Sequence, residues 1–404
     1  MFKFGIDWSE EHHNLCIRNS KGAIVSQVEF KHTLEGFQRF DDERRKLGVP
    51  PSECLVAIET AYNLLVDFLL DRGYLVYLIP PQATKGYRNR QRSTDAHTDD
   101  TDAALLSSIL HTDLDSHRRL QPNSALTQQI LAQVRLIEVL RRSIQRQTNQ
   151  LRAVLFRVYP QALGLFGKLT AQINLHFLMA YPSAQEAQGL NRATFEAFCR
   201  EHRYGRANLI SRRYAHLMEP APEANPIAVA AYRDQIRILG GLLLPQVLRR
   251  TEALSSLTQL FSQHPDAFIF ESLPGAGELL APALLAKFGD HRDRFPTAAG
   301  VQALAGTCPV TKKSGKRKVV IFRRGCDREF RRITQQFAKA SVRQSGWAMA
   351  YWRDLRPRCR SDSDAYRRLA NRWLAIIWKM WQDRKAYDES YHIQQRAQRR
   401  RPRS

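Results

Sequence analysis

Ser314 is a hydroxyl followed by a glycine and set among cations: Lys312, Lys313, Lys316, Arg317, Lys318, Arg323 and Arg324 all lie within ten residues of it. Clustered cations hold a phosphodiester and stabilise the charge that develops as it is attacked. A serine so placed is a candidate nucleophile, and Gly315 lets the backbone approach a bulky partner or take a positive φ. The plain alternative is a basic hairpin loop against nucleic-acid backbone, with Ser314 as a turn residue. A second group of residues carries the opposite charge: Asp7, Glu59, Asp99 and Asp102. Carboxylates from separated elements suit a pair of hard cations such as Mg²⁺, which take oxygen ligands and keep positions open for phosphate. Taken singly, each also reads as structural: Asp7 as a turn cap, Glu59 as a solvated strand end, Asp99 and Asp102 as helix N-terminal charges. Asp95 and Asp100 compete for the same role if the register slips by a few residues.

The elements that must position these groups are readable. Phe2–Trp8, Leu15–Asn19 and Ala23–Phe30 alternate as strands, with a Ser-Lys-Gly turn between the last two. Leu34–Leu47 has helical spacing, Cys54–Ile58 reads as a buried strand, Ala61–Arg72 as a helix ended by Gly73, and Tyr74–Ile79 as a further strand. Three strands, then helix, strand, helix, strand, describe a mixed sheet with helices packed on it. Asp7 directly follows the apolar core of the first strand, and Glu59 ends the fourth. Asp99 and Asp102 are three apart on a helix whose Ala103, Leu106 and Leu110 face the sheet. Their order forms an RNase H/RuvC-like pattern.

Beyond residue 120 the period is helical. Ile130, Ile137, Ile144, Leu151 and Val158 fall at strict sevens, a coiled-coil-like seam that Ser124 opens and Pro160 ends. A second long stretch, Ile227–Phe261, contains Gly240, Gly241 and Pro245, which are expected to kink it. The pair reads as an assembly module around an irregular helical insertion. Leu273-Pro-Gly-Ala-Gly277 reads as a glycine turn opening a helix, similar to a helix-hairpin-helix. Gly275 and Gly277 would expose backbone N–H groups to phosphate. A basic helix is expected to start within 324–332 and to continue through Trp347 and Tyr351. Another, Arg367–Trp381, carries Trp373, Trp378 and Trp381 as core residues. The fold class is thus α/β plus α: an N-terminal mixed-sheet domain over 1–118, a helical assembly domain over 119–265, a mostly α domain carrying the serine over 266–392, and a basic tail over 393–404.

The net charge is +23 across 404 residues, which points to a polyanionic partner. Its distribution is uneven. Residues 1–120 hold 15 Lys/Arg against 18 Asp/Glu, whereas residues 301–404 hold 27 against 8. No run approaches the ~18 apolar residues of a membrane span, so no membrane partner is expected. Six scattered cysteines without a Cys-x-x-Cys pair argue against zinc and disulfides. The opening Met-Phe-Lys-Phe-Gly-Ile-Asp lacks the apolar core of a signal peptide, and a cytoplasmic, nucleoid-associated protein is expected.

The succession Gly-Ile-Asp7, Ile-Glu59-Thr, Thr-Asp99-x-x-Asp102-Ala, a helical middle, Ser-Leu-Pro-Gly-Ala-Gly277, Pro309-x-x-x-x-Ser314-Gly-Lys and Arg323-Arg-Gly325 resembles the "IS one-ten" family of insertion-sequence transposases. The resemblance covers nearly the whole chain. It implies a RuvC-like domain whose carboxylates Asp7, Glu59, Asp99 and Asp102 bind Mg²⁺, and a C-terminal domain whose Ser314 attacks DNA and becomes covalently linked to it. It also implies a composite active site shared between protomers, a dimer or tetramer on donor and target DNA, and guidance by a structured noncoding bridge RNA. The sequence departs from the family at His97, where a lysine is usual, and at the acidic run 95–102. The rival expectations are a RuvC-like nuclease or resolvase that activates water, with Ser314 only a contact, and a basic nucleic-acid-binding scaffold indifferent to Mg²⁺.

Overall fold

The computed structural model describes residues 1–60, 63–91, 99–220, 222, 224–314, 317–391 and 393–394, without the side chains at 82, 89–91, 99, 100, 317 and 318. The chain divides into two compact units, Met1–Pro122 and Asn123–Ser404.

The first unit is a mixed five-stranded sheet with helices on both faces. Its elements are β1 (Phe2–Trp8), β2 (His12–Arg18), β3 (Ile24–Lys31), α1 (Leu34–Lys46), β4 (Cys54–Ile58), α2 (Leu64–Asp71), β5 (Leu75–Leu78), α3 (Pro81–Gln91) and α4 (Asp99–Thr112). The strand order is β3-β2-β1-β4-β5. β1 pairs antiparallel with β2 and parallel with β4, and β4 pairs parallel with β5. This arrangement is consistent with a RuvC-like fold. Strand side chains alternate between faces. Phe4, Ile6, Val56 and Ile58 join the core under α1 and α2, whereas Leu55 and Ala57 join the core under α4 with Leu105, Leu106, Ile109 and Leu110.

The second unit is almost wholly helical. Two long helices, α5 (Ala125–Val158) and α10 (Pro226–Ser262), flank α6 (Gln172–Ala180), α7 (Ala184–Gln188), α8 (Arg192–Glu201) and α9 (Ala207–Leu217). After them come α11 (Ala267–Glu271), α12 (Gly277–Phe288), α13 (Ala298–Leu304), the hairpin β6 (Val310–Ser314) and β7 (Arg317–Ile321), α14 (Arg328–Ser341), α15 (Gly346–Leu355) and α16 (Asp362–Asp383). The residues at spacings of seven on α5 turn inward: Ile130, Ile137 and Leu151 are fully buried and Val158 nearly so. They serve two cores. Ile130 and Ile137 pack with Leu257 and Phe261 of α10 and with the C-terminal helices. Leu151 and Val158 pack with the small helices 172–217 and the first half of α10.

Several local expectations need revision. A helix not expected from the sequence, α3, begins at Pro81; proline at the first helical position is compatible with a helix, because its N–H is not needed there. The long stretch expected over Ile227–Phe261 is indeed one helix, α10, with Pro245 inside it; Gly240 lies close to Met179, whose Cγ would lie 2.9 Å from a Cβ at 240. The basic helix does not run on through Trp347: it stops after Ser341, and Ser345 caps a new helix by accepting from the Ala348 amide at 3.0 Å. Trp373 and Trp381 are fully buried, in keeping with core roles. The six cysteines are free thiols. Among the described residues no helix is long and apolar enough to cross a membrane.

Candidate active site

Three of the four predicted carboxylates lie on or beside neighbouring elements of the first unit: Asp7 in β1, Glu59 just after β4 and Asp102 in α4. Ile6 pairs with Ile58 across the parallel β1–β4 ladder, so Asp7 and Glu59 each follow one member of that pair, at the C-terminal ends of neighbouring strands. By parity with Gly5, Asp7 takes the face covered by α4. Gly5 makes this possible. A Cβ there would lie 2.1 Å from the Ala103 carbonyl oxygen and 2.4 Å from the Ser107 nitrogen, so the α4 backbone rests directly on β1. Asp102, one residue before Ala103, is thereby carried to the strand that bears Asp7. Arg18 of β2 fastens the same helix, donating from Nε to Ser107 Oγ at 3.0 Å and from Nη2 to the Ala104 carbonyl at 3.4 Å.

Asp102 pairs with Arg88 of α3, Nη2 to Oδ1 at 2.7 Å, with both side chains about a quarter exposed. Asp99 opens α4, and its side chain lies outside the described residues, as do those of Asp95, His97 and Asp100. Among the described residues, no three His, Cys, Asp or Glu side chains stand close enough together to hold a metal. The donor types nonetheless suit a hard cation: Asp7, Glu59 and Asp102 are half-buried carboxylates, two at strand ends and one on a helix.

Ser314 ends β6 and is exposed, as are Lys312 and Lys313. The antiparallel register sets Arg317 opposite Ser314 and Lys318 opposite Lys313; Gly315 and Lys316 lie outside the described residues. The hairpin projects, with Val320 and Phe322 59% and 48% exposed, so its root must fix it. Arg367 Nη1 donates to the Thr307 carbonyl before β6 at 3.2 Å. Thr307 Oγ1 is hydrogen-bonded to Asn371 Oδ1 at 2.9 Å. After β7, Arg331 Nη2 donates to the Arg323 carbonyl. The guanidinium groups of Arg331 and Arg367 lie 4.3 and 5.6 Å from the centroid of the Phe322 ring. Asp327 caps α14 by accepting from the Phe330 amide at 2.9 Å and is held by the buried Lys287 at 2.8 Å. Burial alone would raise the Asp327 carboxyl, but the Lys287 hydrogen bond and charge and the Phe330 amide outweigh it and hold it below the usual carboxylate range.

At the glycine turn, Gly275 and Gly277 have φ of +81° and +57°. A Cβ on Gly275 would lie 2.9 Å from the Ala340 carbonyl carbon, so packing against α14 is itself a reason for glycine there. Gly277 is exposed at the start of α12.

Residues 4–160 match the transposase family of the IS110 DEDD type, and residues 267–353 match the transposase IS116/IS110/IS902 family. An IS117 mini-circle protein of Streptomyces coelicolor is 30% identical over 392 residues, 95% of each chain. This chain belongs to the IS110 transposase family. The 43.6 kDa protein of insertion element IS110, also from Streptomyces coelicolor, is 25% identical over 73% of each chain. The 42 kDa protein of IS900 from Mycobacterium paratuberculosis is 24% identical over 80% of this chain and 81% of its own. As an IS110-family transposase the protein is an enzyme of DNA rearrangement, and its partner is DNA. The matched stretches contain every predicted site residue: the carboxylates fall in the first, Gly275, Gly277 and the serine hairpin in the second.

Gly5, Arg18 and Arg88, and the root residues Thr307, Arg331 and Arg367, are not among the candidates read from the sequence. A lone glycine inside an apolar strand does signal a close backbone approach. The arginines carry no such signal in a chain with 62 basic residues.

Proposed function

We propose that this transposase joins donor and target DNA through a covalent link at Ser314, with Mg²⁺ held by Asp7, Glu59, Asp99 and Asp102. The observation that carries the reading is an exposed serine at the end of a projecting hairpin, beside Lys312 and Lys313 and rooted firmly to α14 and α16. Bound Mg²⁺ would neutralise a phosphodiester and favour its attack. Asp102 must exchange its Arg88 partner for that cation. The Ser314 hydroxyl forms a bond from Oγ to phosphorus and loses its proton. The bond from phosphorus to the 3′-oxygen breaks, and that oxygen leaves as a hydroxyl. A 3′-hydroxyl from the partner strand then attacks the phosphoserine, forming the new phosphodiester and restoring the serine. Lys312, Lys313 and their neighbours stabilise charge on the transferring phosphate.

Guidance by a structured bridge RNA is part of the same reading. It rests on the family resemblance and on the +23 charge. So does assembly into a dimer or tetramer, for which Phe156 on α5 and Ile238 and Leu242 on α10, 76%, 60% and 49% exposed, offer apolar surface. The test is strand joining with donor DNA, target DNA, the element's RNA and Mg²⁺. Ser314→Ala, Asp7→Ala and Asp102→Ala are each expected to abolish joined product. Cleavage that survives in Ser314→Ala would instead favour hydrolysis by a RuvC-like nuclease.

A further inference from the structure

Helix α14 has one face committed to the core, with Phe330, Ile333 and Phe337 buried. Its opposite face is therefore fixed outward, and it reads Arg328, Arg332, Gln335 and Lys339, at steps of four, three and four residues. Between this face and the N-terminal turns of α16 lies a cleft of about 440 Å³, closed on the far side by Ser363 and Tyr366. Among the described residues every side chain lining it is cationic or a neutral hydrogen-bonding group, and no carboxylate does so. We propose that this cleft seats the phosphodiester backbone of a nucleic-acid strand.

Three observations support it. First, the Nε–H groups of Arg331 and Arg332 are buried without an acceptor among the described residues. A buried donor left unpaired is costly, and both arginines line the cleft. Second, the guanidinium of Arg332 is under electrostatic stress. Burial depresses its pKa, and Arg141 and Arg142 depress it further; Glu138, which binds it at 3.0 Å, and Glu329 pull the other way without restoring it. An added anion relieves that stress. Third, the cations are spread in a line. Arg328 and Lys339 are eleven residues apart, ~16 Å along a helix or about five stacked nucleotides. A line of that length matches a repeating anion better than a single small one. Tyr366 is backed by Trp352, the rings 18° from parallel with centroids 5.9 Å apart. The wall is thus rigid and aromatic, as strand-binding grooves often are. Arg331 also holds the root of the serine hairpin, so a strand in this cleft runs beside that root.

The test uses the full-length protein in a Ser314→Ala background without Mg²⁺, so that it reads binding alone and is indifferent to whether Ser314 is a nucleophile. Anisotropy titrations over a salt series are run with a single-stranded DNA, a duplex DNA and an RNA stem-loop. Arg328 and Lys339 are exposed and have no ion pair among the described residues, so Arg328→Ala/Lys339→Ala leaves the core untouched. For the nucleic acid that occupies the cleft, the slope of log K against log salt is expected to fall by about 1.4–1.8, two lost phosphate contacts. Arg200→Ala/Arg212→Ala, which removes the same charge from α8 and α9, is expected to change it by less than half that. The probe that shows the fall identifies the occupant as DNA strand, duplex or RNA. An unchanged slope with all three probes would overturn the proposal, as would an equal fall in the control variant.

Discussion

Asp102 is the carboxylate whose present partner can be named, and that makes it a sensitive probe. Arg88 competes for it with any metal, through a partly exposed pair of the kind that contributes up to about 1 kcal/mol. Arg88→Ala is therefore expected to tighten Mg²⁺ binding by up to about five-fold in a calorimetric titration, while Asp102→Asn weakens it. Weaker binding in Arg88→Ala would mean that the arginine holds α4 in place instead. His13 offers a second test at this scale. It is fully buried beside Phe30, with Nε2 2.8 Å from His32 Nδ1. Burial first, then the neighbouring charges of His32 and His12, lower its pKa from 6.5 to about 4. Unfolding lets it take up a proton, so its contribution is fully present above pH 6.5 and is lost as pH falls toward 4. The full extent is about 3 kcal/mol. Stability of the wild type should fall over that window, and His13→Gln should flatten the dependence; a slope that survives the substitution would place it elsewhere. Asp7, Glu59 and Ser314 could be singled out as candidates from residue type and place in the chain. Arg88 and Arg367 were not, because only the fold selects which of many arginines meets a given carboxylate or carbonyl.

At the scale of elements, the carboxylate face depends on one contact, α4 lying on β1 at Gly5. Gly5→Ala forces a methyl against the α4 backbone, which cannot yield as a flexible side chain does. It should destabilise the first unit by about 3 kcal/mol or more, read as a drop in denaturation midpoint, and should impair Mg²⁺ binding as well. A variant of wild-type stability would contradict that packing. The first unit's strands were legible because alternation and short apolar runs are strong signals there. Helix α3 was not legible because its stretch, Pro81–Gln91, is polar and carries no apolar helical period. The break at 342–345 was hidden by the apolar period resuming in α15, where the capping hydroxyl of Ser345 separates two helices that share one core.

The whole molecule is two units with separate cores. Calorimetry should show two unfolding transitions, only one of them moved by Gly5→Ala. A single transition shifted as a whole would contradict independent units. The charge asymmetry of the sequence maps onto this division: a slightly acidic unit carries the candidate metal site, and a basic one carries the serine hairpin and the α14 cleft. The account turns on Ser314 as nucleophile, and covalent attachment tests that most directly. The protein is incubated with donor and target DNA, the element's RNA and Mg²⁺, denatured, digested, and analysed by mass spectrometry for nucleotide-modified peptides. The predicted result is a nucleotide mass on the peptide containing Ser314, absent in Ser314→Ala and in Asp102→Ala. Cut DNA with no modified peptide, unaffected by Ser314→Ala, would contradict it.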